Sequence, residues 1–398
     1  MTDIERFRGE LAEFLEQELP KKVGELPPPT GDYWGGRNPE LPHPMSRRYC
    51  EVMAERGLTA PTWPTEYGGG GLDKEQAKVL SAELGRLHLP VPLVGFGLSM
   101  IGPTLLQFGT EAQKREHLPK IVRGEIRWAQ GYSEPNAGSD LASLQTSARI
   151  AGDTLVLNGQ KIWTSYGDKA DWMFGIFRTD TGGKKQEGIT FLLLDMAQPG
   201  VLVRPIKLIS GASPFCETFF TDARAHTRDI IHGIGNGWTV AKALLGHERN
   251  MIGDLFGAGG RQPTAGNPLA ELAREYLGDR DGRLVDPLLR DRVAQVTMDE
   301  RCFALTMQRN ADMMKAGHKP GPESSIFKIY GTELNQRRQE LLLALRGPEC
   351  LGWEGVGFDE RELAQTRDWL RSRGNTIEGG TSEVQLNIIA KHVLGLPD

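Results

Sequence analysis

A chain of 398 residues with 39% apolar and 25% charged side chains has core material for two or three domains, which excludes a disordered or fibrous polymer. Its net charge of −5 is spread without acidic or basic blocks, so no nucleic-acid partner is expected. No run approaches the roughly 20 apolar residues of a membrane helix, and the start "MTDIERFRGELAEFLEQ" lacks the apolar stretch of a secretion signal, so no membrane association is expected.

The first 125 residues read mainly as helix. "IERFRGELAEFLEQEL", "MSRRYCEVMAERG" and "LDKEQAKVLSAELGRLH" place apolar residues at helical spacing. The Pro/Gly-rich "LPPPTGDYWGG" predicts an irregular excursion, and composition reads "PTWPTEYGGGG" as a flexible connector. From about Glu125 to Asn236 the period changes. "TLVLNGQKIW", "DWMFGIFRT", "GITFLLLDM", "VLVRPIKLI" and "CETFFTDA" are short β-rich runs, with "RTDTGGKKQEG" as a hairpin loop. After "GIGNGW" helical spacing returns and holds to the end. The expected fold is α+β and multidomain: an N-terminal helical domain (1–125), a central small β-barrel or sandwich (126–236) and a C-terminal four-helix bundle (237–398).

Candidate chemistry is sparse. Cys50, Cys216, Cys302 and Cys350 lie far apart without a CxxC pair, and the eight histidines never take HxH or HExxH spacing. That opposes a disulfide framework, gives a metal site no support and suits a reducing cytoplasm. "YSEPNAGSDLASLQTSA" (132–148) offers hydroxyls at Ser133, Ser139, Ser143 and Thr146 beside Gly138. Read alone it is a capped turn, yet it would also suit a planar polar ligand. In "LNGQKIWTSYGDKADW" (157–172), Trp163 stands beside Thr164 and Ser165. It is either a core tryptophan or a ring-stacking group with hydroxyls at its edge.

Together the two stretches resemble the acyl-CoA dehydrogenase family, flavoenzymes of α–β–α architecture. The resemblance extends through "PTEYGGGG", "GTEAQKREHLPKI", "GNGW" and the terminal "GGTSEVQLNIIAKHVLGLP", and so covers most of the chain. It implies FAD as cofactor and an acyl-CoA thioester as substrate, oxidised across its α,β bond. It implies electron-transferring flavoprotein as acceptor. Carried over by position, Gln130, Tyr132, Ser133 and Ser139 contact flavin or the pantetheine arm, with Ser139 also on the substrate, and Trp163 and Ser165 sit at the ring near N5. Gly380, Thr381 and Glu383, at what reads as a helix start, take the adenine and pyrophosphate half.

Such a reaction needs a carboxylate to remove the α proton. In many family members it is a glutamate immediately before the terminal Gly-Thr-Ser, but here that position is Gly379. Glu378 is one residue early and reads as structural. In "AKALLGHERNMIGDLF", Glu248 shares a helical face with Ala241, Leu244, Met251, Ile252 and Leu255. A carboxylate in an apolar stripe is either paired, for instance with Arg249, or functional, and spacing leaves both open. Long-chain and isovaleryl members carry their base on this helix in a Glu-Arg pair, and the resemblance therefore implies Glu248 as base with Arg249 beside the substrate.

Two motifs depart from the family pattern. Where Arg-x-x-Phe-Gly reaches a neighbouring subunit's FAD, Arg280 is kept, but Arg283 and Leu284 stand for Phe and Gly. In "ALRGPECLG", Gly347 is kept, while Ala344 and Pro348 replace Gln and the second Gly. The expectation is a homodimer or homotetramer, or an α2β2 assembly with a second dehydrogenase-like chain in which this chain supplies a half-site. A related flavoprotein with desulfinase- or oxidase-type chemistry is the other alternative.

Overall fold

The computed structural model describes residues 2–245, 268–318 and 321–397. They divide into two compact units. One joins the N-terminal helices to the strands up to Ile206 and again from Pro214; the other joins the C-terminal helices to the Lys207–Ser213 loop.

In the first unit the helices α1 (Asp3–Glu13), α2 (Leu19–Val23), α3 (Ser46–Glu55), α4 (Lys74–Arg86), α5 (Gly102–Phe108) and α6 (Glu111–Val122) follow the apolar spacing. Thr2, Asp73 and Thr110 close capping boxes at the starts of α1, α4 and α6, each satisfying orphan amides of the first turn. Leu11, Phe14, Leu15, Tyr49, Met53, Leu80 and Leu84 are buried together as the helical core.

The "PTWPTEYGGGG" stretch is not a loose connector. Trp63 and Tyr67 are buried, and the Tyr67 hydroxyl donates to Glu111 at 2.9 Å. Its glycines permit close approach: a Cβ on Gly69 would lie 2.3 Å from the Trp63 carbonyl oxygen. The Pro/Gly-rich excursion is irregular, as expected, but anchored. Asp171 Oδ2 accepts the amides of Arg37 (3.0 Å) and Arg127 (2.8 Å), and the Arg37 guanidinium grips both oxygens of Asp195. The Arg127 guanidinium lies over the rings of Trp34 and Tyr166 at 4.8 and 5.2 Å.

The strands are β1 (Trp128–Gly131), β2 (Ser147–Ala151), β3 (Thr154–Ser165), β4 (Trp172–Arg178), β5 (Ile189–Asp195), β6 (Val201–Ile206), β7 (Phe215–His226) and β8 (Ile230–Ile231). They form one mainly antiparallel sheet in the order β6-β7-β3-β2-β4-β5-β8, and β1 joins parallel to β4 with Gln130 opposite Phe174. The 178–188 segment connects antiparallel β4 and β5, as its composition predicts. A helix, α7, begins at 237 and is described to 245; Ala241 and Leu244 on it are fully buried.

The second unit contains α8 (Pro268–Leu277), α9 (Pro287–Lys315), α10 (Ser325–Arg346), α11 (Glu360–Ser372) and α12 (Ser382–Ile388). Leu269, Ala273, Leu284, Val293, Val296, Leu334, Leu341 and Leu345 pack as its core. Among the described residues no helix is long and apolar enough to cross a membrane, and no cluster of His, Cys, Asp and Glu could hold a metal.

His117 on α6 is fully buried between the indoles of Trp128 and Trp172, and its ring nitrogens have no hydrogen-bond partner among the described residues. Burial, with Lys120 and Arg228 adding to it and Glu116 opposing, pushes its pKa down to about 4. The unfolded chain therefore holds an extra proton between pH 6.5 and 4, so stability rises with pH through this window and is lost as pH falls through it. The difference is on the order of 3 kcal/mol for the single group. His117→Phe is expected to lessen the fall of the denaturation midpoint between pH 6.5 and 4, read from urea curves at successive pH values. Equal acid slopes for the two proteins would refute it.

Candidate active site

The first set of site residues follows β1. Gln130 lies on the strand with its Nε2 buried and no acceptor for it among the described residues. Tyr132 is buried, edge-on to Phe174 and Phe191. The Ser133 carbonyl accepts the Ile162 amide at 2.9 Å, which lays the loop along β3. Glu134 and Ala137 exchange backbone hydrogen bonds, closing a tight turn, and Ser139 is exposed beyond it.

The second set is the end of β3. Pairing between β3 and β7 shifts register between Lys161 and Thr164. In that irregularity Trp163 adopts φ 60° and leaves its side chain 53% exposed, touching Phe215 edge-on. A bulky residue in the left-handed region with its indole in solvent is costly on both counts, and such strain concentrates at functional sites. On the far side Thr164 is buried and accepts the Thr218 hydroxyl at 3.2 Å. Ser165 and Tyr166 follow, Tyr166 again at positive φ. The Ser133 carbonyl's bond to Ile162 brings these two sets together.

Sequence reasoning passed over the pair beneath them. Lys161 is fully enclosed, and its Nζ donates to Glu134 Oε1 at 2.7 Å and to the Tyr132 carbonyl at 3.2 Å. Glu134 also accepts the amides of Gln145 and Thr146 at 2.7 and 2.9 Å. Burial by itself would raise the Glu134 pKa, but the Lys161 ammonium and the 145–146 segment outweigh it and hold the carboxyl below its ordinary value. Burial brings Lys161 down to about 8, so the pair is ionised at neutral pH. The signal was available: Lys161 continues the period-two inward register of Leu155 and Leu157, where a charge must have a partner.

In the second unit Arg280 is exposed, on a two-residue strand paired with Arg283–Leu284. Gly347 ends α10 at φ 59°, a conformation that suits glycine, with open space where a Cβ would be. Thr381 caps α12 by accepting the Val384 amide, and Glu383 is exposed in the first turn. Glu378 is committed to its neighbours, accepting Arg371 and Asn375 at 2.7 Å each. Lys328 on α10 has a buried Nζ without a hydrogen-bond partner, with the charges of Glu378 and Glu383 acting on it. Glu248 and Arg249 lie outside the described residues.

Comparison with known proteins agrees with this layout. The acyl-CoA dehydrogenase N-terminal domain matches residues 2–125, the middle domain 129–223 and the C-terminal domain 235–394. The chain therefore belongs to the acyl-CoA dehydrogenase family and is an oxidoreductase that dehydrogenates acyl-CoA. It is 35% identical to acyl-CoA dehydrogenase IpdE1 of Mycolicibacterium smegmatis, over 100% of this chain and 99% of that protein. Among solved structures it resembles the Tcur3481-Tcur3483 steroid ACAD (TM-score 0.74, 28% identity, 99% of this chain and 97% of that one). It also resembles a chain of the ChsE4-ChsE5 complex from Mycobacterium tuberculosis (TM-score 0.69, 26% identity, 100% and 98%).

The residues present fit a flat, polar-edged cofactor: an exposed indole for a ring face, a buried amide donor at Gln130 without a partner, and hydroxyls at Ser133 and Ser165. If the Trp163 ring serves a ligand rather than the core, Trp163→Asn, which tolerates positive φ, should leave the thermal midpoint of the cofactor-free chain nearly unchanged. A fall beyond about 4 °C, on the order of 3 kcal/mol in a chain this size, would show the ring to be a packing element.

Proposed function

We propose that the chain carries out FAD-dependent α,β-dehydrogenation of an acyl-CoA thioester, giving the trans-2-enoyl-CoA. The observation that carries the reading is the strained, exposed Trp163 beside the Tyr132–Ser133 loop. Bound flavin supplies the acceptor for the hydride that leaves the β carbon. Trp163 and Ser165 flank the ring, and Gln130, Tyr132 and Ser133 hold its polar edge. Ser139 serves the pantetheine arm and Arg249 the substrate. Gly380, Thr381 and Glu383 take the adenine and pyrophosphate half of the FAD whose ring lies on a neighbouring chain, and Arg280 and Gly347 also serve a neighbouring chain's FAD.

Glu248 is the base. Its support is the apolar stripe it shares with Ala241 and Leu244, both buried where α7 is described, together with the hydrogen-bonded state of Glu378. A base desolvated on that face has its pKa raised towards the operating pH. Backbone amides directed at the thioester carbonyl stabilise the developing enolate. Similarity to the Tcur3481-Tcur3483 steroid ACAD supports a bulky acyl group, and electron-transferring flavoprotein is the proposed acceptor.

The test is flavin reduction by rapid mixing with one reactive acyl-CoA. Glu248→Gln should keep FAD and bind substrate but reduce flavin about 10²–10⁴-fold more slowly. Glu378→Gln should retain most of the rate. A reversed result moves the base to Glu378; two normal rates sink the mechanism.

The altered Arg283, Leu284, Ala344 and Pro348 positions favour a second reading of assembly, in which this chain pairs with a different dehydrogenase-like chain to complete the FAD sites. The similar Tcur3481-Tcur3483 and ChsE4-ChsE5 structures are each named for two components. Native mass measurement decides it. A substoichiometric flavin content in the chain expressed alone, restored by the partner, is expected; a homo-oligomer with one FAD per chain overturns it.

A further inference from the structure

We infer that the buried Glu134–Lys161 ion pair is a positioning element for the flavin-facing surface, holding the Tyr132–Ser133 backbone and the Trp163 side chain at one fixed spacing. The inference rests on the FAD reading above and assigns the pair no contact with reacting atoms.

The geometry carries it. Four hydrogen bonds converge on the pair. They join three separate segments: the Tyr132 carbonyl and Glu134 itself, the amides of Gln145 and Thr146, and β3 at Lys161. Trp163 lies two residues beyond Lys161, within the register shift, and Thr164 is the next buried polar anchor, tied to Thr218. The backbone that carries Trp163 is therefore anchored on both sides by buried polar contacts, while the exposed indole meets the edge of Phe215. A one-residue slip of β3 would turn Trp163 inward and Lys161 outward, and the loss of Lys161's buried partners forbids it. Ion pairs this deep seldom outperform apolar packing in stability, which leaves arrangement as what this one supplies.

The experiment compares wild type with Lys161→Met, Glu134→Gln and the double variant, each checked for folding by far-ultraviolet circular dichroism. Two controls accompany them. Lys185→Met breaks an exposed ion pair to Asp140 on the same loop, and Leu157→Ala opens a cavity in the same strand. FAD titration and the visible circular dichroism of bound flavin are the readouts. The expected result is FAD affinity lowered about 10- to 100-fold, with an altered flavin signal, in folded variants of the pair. Lys185→Met is expected to match wild type, and Leu157→Ala to lose thermal stability without changing the flavin signal. Where Lys161→Met does not fold, Glu134→Gln, which keeps the shape, carries the comparison. Pair variants that bind FAD like wild type with an unchanged signal overturn the inference, as does a Leu157→Ala signal altered in the same way. A wild type that takes up no FAD even together with its natural partner chain overturns the cofactor reading and this inference with it.

Discussion

The register of β3 is the constraint on which the site depends. This twelve-residue strand pairs with β2 on one side and β7 on the other, so its side chains are assigned to faces by two neighbours at once. Leu155, Leu157 and Lys161 are fully buried, and the irregularity after Lys161 then exposes Trp163 before Thr164 returns to the interior. A regular strand would continue the alternation and could not present the indole this way; the register shift re-aims one side chain without moving the sheet.

A second constraint ties the helical layer to this sheet. Asp171, immediately before β4, holds the amides of Arg37 and Arg127 with a single carboxylate oxygen, and Arg37 reaches on to Asp195 at the end of β5. The Pro/Gly-rich excursion is thus fixed at its C-terminal end, where Trp34 packs against Tyr166 just past the Trp163 turn. Irregular backbone here is held by specific polar contacts, because it has no ladder of its own to satisfy its amides.

Much of this was legible in the sequence. Apolar spacing located the helices and strands, and the order of the motifs pointed to the family. Other features were not legible, each for a physical reason. "PTWPTEYGGGG" has the composition of a linker, yet its glycines serve close backbone approach around buried Trp63 and Tyr67, which composition cannot distinguish from flexibility. Glu134 and Lys161 stand 27 positions apart, and only the pairing of the loop with β3 makes them partners. Glu378 reads as structural from its place one residue early in the motif, but its particular partners, Arg371 and Asn375, depend on how the chain turns after α11.

Leu284 stands where the family pattern carries a glycine, and it is buried with Val293, Val296 and Leu341 in the core of the second unit. The substitution has therefore acquired a load. Restoring glycine would open a cavity at a cost of about 2–5 kcal/mol, readable as a lowered urea midpoint, before any contact of the family pattern could be regained. Leu284 is held by its core neighbours whatever the segment does for a cofactor, so a change made here to recover the family's glycine is read first as lost stability.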